Sequence, residues 1–258
     1  GIRLWITLCG CPRVGSTRTM DGLRFTRELL DTEGLTIHEL LKASRDGEWD
    51  RLRRGAYVRR QETDERRRHL LLIAATLPQI RDGSVVSHAS AAVLHGLPVP
   101  RQHLERVWVT REDGGHGLPV TSLERTAIDL ARNGTLEWCV IACDAALAAG
   151  LDRERLLDAA ARIHGWPGAH RAQRAAGFAD PGAQSPLESV SRLQLDRLGF
   201  PSPVCQFPVM AGGELVATTD FGWEGERLVG ECDGRAKYGE LLHPGELPAD
   251  AVMREKRR

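Results

Sequence analysis

Aromatic side chains are scarce, 5% of 258 residues, and net charge is absent, because 35 basic residues meet 35 acidic ones. A zero balance excludes a globally positive surface field, so any contact with nucleic acid has to come from local clusters of cations. The six cysteines lack the spacing of a disulfide framework. Cys9 and Cys11 form no C-x-x-C pair and have no histidine at zinc spacing, which argues against structural zinc. Cys139 and Cys143 lie one helical turn apart in an apolar stretch and read as core thiols suited to a reducing cytoplasm. No apolar run approaches the length of a membrane span, and residues 1–8 precede no small-residue cleavage site, so neither a membrane segment nor a signal peptide is expected. Residues 1–20 read as an uncommitted extension.

What the chain does have is arginine, which greatly outnumbers lysine and is clustered. One cluster is Arg51, Arg53, Arg54, Arg59 and Arg60. A second, Arg66 to Arg68, opens an apolar helix and reads as a solvated face. A third is Arg254, Lys256, Arg257 and Arg258. The first cluster lies in a patterned segment, residues 21–66. Helical signals begin at Thr26 and stop at Gly34, where a left-handed cap belongs. Thr36 and Glu39 then form a capping box before the apolar stripe Ile37, Leu40 and Leu41, which runs to Asp46 and Gly47. Trp49, Leu52, Tyr57 and Val58 anchor two short extended pieces around a turn at Gly55. Helix, short turn, helix, basic hairpin is the order of a winged helix-turn-helix. In that geometry the second helix enters the major groove and the hairpin touches phosphate or the minor groove. The residues expected to face DNA are Thr36, His38, Lys42 and Arg45 from the helix, and Arg51, Arg53 and Arg54 from the wing.

Residues 67–180 read as a mixed α/β middle region that ends in a linker. A helix is expected over 67–77. Ser87 is placed to cap a short helix that ends at His95, with Gly96 and Pro98 as its stop. His88 and His95, seven apart on one apolar face, read as hydrogen-bonded core or rim residues. A strand is expected over 107–110 and a helix beginning with a Thr121/Glu124 capping box and closing at Asn133 and Gly134. Two Ala- and Leu-rich helices follow over 136–149 and 153–163. Residues 164–186, where glycine and proline recur and the apolar period fails, read as the linker.

Residues 181–258 change character. Ser185, Pro186 and Glu188 supply a cap, a proline at the first helical position and a capping-box acid, which alone accounts for Glu188. Strands are expected over 204–209, 215–221 and 227–233, with turns at Gly212–Gly213 and Glu224–Gly225. Asp220, Glu231 and Asp233 fall within these apolar strands. Acids there are costly unless paired, protonated or metal-bound, so the pattern asks for a hard cation such as Mg²⁺. Lys237 follows as a basic residue able to meet phosphate.

The series Glu188, Asp220 and then "ECDGRAKY", with Glu231, Asp233 and Lys237, resembles the PD-(D/E)xK nuclease superfamily, within it the branch of very-short-patch repair endonucleases. The resemblance implies that Asp220 and Glu231 hold the metal, that Asp233 is an auxiliary ligand or base, and that Lys237 takes the basic role. This sequence departs from the superfamily in having Asp233 where a lysine is usual. The unit is expected to be an incomplete version of the restriction-endonuclease-like fold, ending at "REKRR".

The segments "FTRELLDTEGLTIHELLKASRDGEWDRLRRGAYV", "VSHASAAVLHGLP" and "PVTSLERTAIDLA" resemble type IV abortive-infection antitoxins of the AbiEi group, which are similar to winged-helix autorepressors. The two resemblances together imply a cytoplasmic DNA-binding regulator with an α+β or α/β architecture, a nuclease-type tail and a cognate toxin as partner. The alternative they imply is an active Mg²⁺-dependent DNA endonuclease.

Overall fold

A computed structural model describes residues 22–60, 64–111 and 120–232. The chain divides into two compact units, Gly1–Ala179 and Asp180–Arg258. The described residues form nine α-helices and three small sheets whose strands run antiparallel, a mixed α/β architecture. No helix among them is long and apolar enough to cross a membrane.

The first unit opens with β1 (Leu23–Phe25), α1 (Thr26–Thr32), α2 (Ile37–Arg45), β2 (Trp49–Arg53) and β3 (Ala56–Arg59). Local chemistry sets each boundary. The Phe25 amide donates to Glu28 Oε2 at 2.9 Å to start α1, and Gly34 takes the left-handed turn (φ +67) that releases the chain toward α2. At α2 the capping box is complete: Glu39 N donates to Thr36 Oγ1 at 3.2 Å and Thr36 N donates to Glu39 Oε2 at 2.8 Å. Gly55, with φ +81, turns β2 into β3. The sheet order is β1-β3-β2, with a register shift between Arg51 and Arg53. Leu29, Leu40, Trp49 and Tyr57 meet in a small buried cluster that joins both helices to the hairpin. Truncating one of these leucines to alanine costs about 2–5 kcal/mol in typical cores.

Next comes α3 (Glu65–Thr76), which starts two residues earlier than the apolar pattern predicts because Asp64 caps it, accepting from Arg67 N at 2.8 Å. It packs against β1 and β2 and is tied to the hairpin by Arg68–Asp50 at 3.6 Å. Strand β4 (Ser84–Val86) pairs with β5 (Val109–Arg111), and Val86 also bridges Val120. Between these strands lies α4 (His88–Leu94). Its carbonyl end is closed by Arg66, which donates to Val93 O at 2.8 Å and Leu97 O at 3.1 Å. Arg66 therefore leaves the solvated face on which its cluster is expected to lie, while Arg68 stays exposed.

The helices α5 (Leu123–Asn133), α6 (Leu136–Ala148), α7 (Arg153–Arg162) and α8 (Ala169–Phe178) complete the unit. Three local expectations are corrected here. Ser122, not Thr121, caps α5 and accepts from Arg125 N; the buried Thr121 hydroxyl instead meets Thr126 Oγ1 at 2.8 Å. Ser87 stands at the cap position of α4 without a side-chain cap bond, its hydroxyl being engaged by His88 and Thr110. The expected linker contains α8. Its helical period is carried by alanines, with Ala169, Ala172, Ala175 and Ala176 buried, and small residues give a weak hydrophobic signal beside conspicuous glycines. Cys139 and Cys143 are buried core thiols as expected, and burial pushes the Cys139 thiol up to about 11.

In the second unit α9 (Pro186–Arg197) precedes β6 (Val204–Ala211), β7 (Glu214–Trp223) and β8 (Leu228–Gly230), paired in the order β6-β7-β8. Gly212 and Gly213, at φ +60 and +86, form the β6–β7 turn. Gly222 has no room for a side chain because the Phe207 ring lies directly over its Cα. Phe221 and Trp223 contact edge to face with centroids 6.4 Å apart, and Trp223 Nε1 donates to Pro201 O at 2.8 Å.

Candidate functional site

On the head, the segment from β1 to β3, α2 and its cap present Thr36, His38, Lys42 and Arg45 at exposed positions. They lie outward because the helix buries only Leu40, against Leu29, Trp49 and Tyr57. Thr36 is committed to the capping box, and its hydrogen bonds hold the Glu39 carboxyl below its ordinary range. The same surface carries Ile37, 60% exposed, and Leu41, 45% exposed, so it offers apolar contacts beside the cations. Arg51 and Arg54 are exposed on the hairpin and Arg53 is half-buried. Arg51 Nε donates to Arg53 O at 3.4 Å, which folds Arg51 over the β-bulge. Arg59 lies over the Trp49 ring at 5.1 Å and so serves the hairpin's packing.

The carboxylates of the second unit are held by different means. Glu188 is buried and serves its cap: Gln184 N donates to Oε2 at 2.8 Å and Ser185 Oγ to Oε1 at 2.7 Å, and Gln206 Nε2 lies 3.4 Å from Oε2. Asp220, on β7, accepts from Cys232 N at 2.6 Å. Glu231 follows Gly230, the register partner of Phe221, so Asp220 and Glu231 flank the last pair of the β7–β8 ladder. Strand β8 ends at Gly230, and Glu231 lies just beyond it rather than inside the expected strand. Cys232 reports the local charge. Its thiol is pushed above the ordinary value by burial first, and the neighbouring Asp220, Glu188 and Glu231 charges push the same way against a Ser191 hydrogen bond. Asp220 is thus bonded to the Cys232 amide and Glu231 is its chain neighbour, while the Glu188 charge is also felt at the Cys232 thiol. Asp233 and Lys237 lie outside the described residues. Among the described residues no group of three or more His, Cys, Asp or Glu side chains is arranged as a metal site. The donor chemistry of Asp220 and Glu231, carboxylate oxygens only, suits a hard cation.

A third constellation is one that the sequence reading did not single out. Asp129 on α5 is fully buried; Arg125 Nε donates to its Oδ2 at 2.8 Å and Arg132 Nε to its Oδ1 at 2.9 Å. Both guanidinium groups also lie against the Trp166 ring, at 5.3 and 5.2 Å. His88 approaches from α4, with Nε2 at 4.0 Å from Asp129 Oδ1, Nδ1 at 2.9 Å from Ser87 Oγ, and the ring stacked on Trp108 at 5.6 Å. Its backbone is left-handed, φ +49, which a side-chain-bearing residue adopts only when its surroundings hold it there. Burial lowers the His88 pKa, with Asp129 pulling the other way. The i,i+4 and i,i+3 spacing of Arg125, Asp129 and Arg132 was visible in the sequence as a signal, but Trp166 and His88 reach the group only through the fold. His95 does not join it and contacts Thr121 O at 2.8 Å.

No protein-family profile matches the chain. Two proteins of Mycobacterium tuberculosis are similar over part of it: Uncharacterized protein MT2308 of strain CDC 1551 / Oshkosh and Uncharacterized protein Rv2248 of strain ATCC 25618 / H37Rv. Each is 33% identical over 109 residues, 42% of this chain. The chain spans 40% of the length of these curated relatives.

Proposed function

We propose that this protein is a DNA-binding regulator, similar to AbiEi-type antitoxins, whose head acts as a winged helix-turn-helix and whose second unit carries a nuclease-type fold. The observation that supports it most is the head's geometry. Two helices lie between β1 and a basic hairpin, and the outward face of α2 holds His38, Lys42 and Arg45 on the helix that would enter the major groove. Arg51, Arg53 and Arg54 on the hairpin would then contact phosphates. A cognate toxin is the partner that the antitoxin resemblance implies.

Binding is tested by fluorescence anisotropy with duplex DNA across a salt series. The Arg53→Ala/Arg54→Ala double variant should weaken binding to every sequence and flatten the dependence of log K on log salt by about 0.9 for each phosphate that is no longer neutralised. An unchanged slope removes the wing from the interface.

A second reading, a Mg²⁺-dependent endonuclease, is favoured by the gathering of Asp220, Glu188 and Glu231 around Cys232. Asp220 and Glu231 would hold the ion. A bound divalent ion supplies an activated water and offsets charge that builds on a phosphate oxygen. In this reading Glu188 orients α9 and the β6 residue Gln206 beside the site, while Asp233 and Lys237 supply the auxiliary and basic groups that the resemblance implies. Plasmid nicking that requires Mg²⁺ and disappears in Glu231→Ala selects the enzyme. Intact protein that leaves plasmid uncut in Mg²⁺ leaves the regulator.

A further inference from the structure

The cluster around Asp129 is built as more than a neutral pair. One buried carboxylate faces two guanidinium groups, so the formal sum is one surplus positive charge, while the adjacent Glu124 is already matched by Arg155 at 2.5 Å. The hydrogen bonds of Arg125 and Arg132 to protein run through Nε to Asp129, with Arg132 Nη2 at 3.5 Å from His88 Nε2. Their remaining Nη donors find no acceptor among the described residues. No buried side-chain nitrogen or oxygen there lacks a partner, so these donors reach solvent. Two planar forks are therefore held in place before any ligand arrives, which removes much of the ordering cost that a flexible arginine pays on binding. Trp166 packs against both guanidinium carbons and is still 42% exposed, leaving indole surface beside the free donors.

We propose that Arg125, Arg132 and Trp166 form a binding site for single-stranded nucleic acid, the guanidinium donors taking a phosphodiester and the indole stacking an unpaired base. Guanidinium forks match the geometry of phosphate oxygens. An exposed aromatic ring next to cations is the arrangement on which unpaired bases stack without sequence preference. Asp129 is a positioning residue in this scheme: it orients both arginines and touches no ligand. The site stands independently of the duplex-binding head, being made from α5 and the α7–α8 connection.

The test is anisotropy of a short labelled oligothymidylate with the full chain, its Trp166→Ala, Trp166→Phe and Arg125→Gln variants, and the Arg53→Ala/Arg54→Ala variant, with thermal midpoints measured alongside. Trp166→Ala should weaken binding roughly tenfold or more, with Trp166→Phe restoring most of it. Arg125→Gln should lower the salt slope by about 0.7, and inorganic pyrophosphate should compete. Equal binding by wild type and Trp166→Ala overturns the proposal. Loss of binding in the Arg53→Ala/Arg54→Ala variant alone also overturns it, because the oligonucleotide then sits on the head, and the regulator reading survives. Should Arg125→Gln fail to fold, the Trp166 pair and the pyrophosphate competition decide.

Discussion

Asp129 and Asp220 are both acids set into structured, partly apolar surroundings, and the two units treat them in opposite ways. Asp129 is enclosed by two arginines, so its charge is neutralised within the protein. Among the described residues Asp220 accepts from a backbone amide, Cys232 N, and Glu188 from an amide, a hydroxyl and a carboxamide. Such donors satisfy the oxygens without themselves carrying a compensating charge. The two sites thus differ in the partners that satisfy their acids, guanidinium groups at Asp129 and uncharged groups at Asp220 and Glu188.

The largest expected effect breaks the first half of that contrast. Asp129→Ala strands two partly buried guanidinium groups and should cost about 3–5 kcal/mol in urea denaturation. Asp220→Asn should stay within about 1 kcal/mol of wild type, because its remaining carbonyl oxygen can still accept from Cys232 N. Equal losses at the two positions would erase the distinction. The second half is sharpened by metal. If the acids of the second unit hold a cation, Mg²⁺ at about one hundred times its Kd should stabilise wild type by about 2.7 kcal/mol and leave Asp220→Asn unmoved, read by thermal melting.

A smaller effect is expected in the head, where Thr36→Ala removes one side of the capping box. It should cost about 1 kcal/mol without changing the salt slope of duplex binding, because an uncharged hydroxyl releases no counterion. The smallest is a pH slope. His69, bonded to Leu104 O and Ser90 Oγ, and His88 beside Asp129 both have folded pKa values lowered from 6.5, burial being the first cause in each. The unfolded chain therefore takes up these protons first as pH falls. Their contribution is complete above about 6.5 and is lost as pH drops through the lowered folded values. A urea midpoint that stays flat on acidification below 6.5 would show that these rings are less enclosed than the fold places them.

Much of the local structure was written in the chain by short-range chemistry. The Thr36/Glu39 and Ser185/Pro186/Glu188 caps, the Gly55 and Gly212–Gly213 turns and the alternating strands β6 and β7 all follow from contacts within a few residues. Helix α8 escaped because alanine hides its period. Strand β8 ended short of Glu231 because alternation shows which side a residue faces but not where pairing stops. What only the tertiary structure decided was company. His88 approaches Asp129 and stacks on Trp108, Trp166 lies against the two arginines that hold Asp129, and Asp220 meets the Cys232 amide, all from positions apart in the sequence. Burial converts such meetings into charge balance, since a desolvated carboxylate has to find its partners wherever the packing of helices and strands happens to bring them.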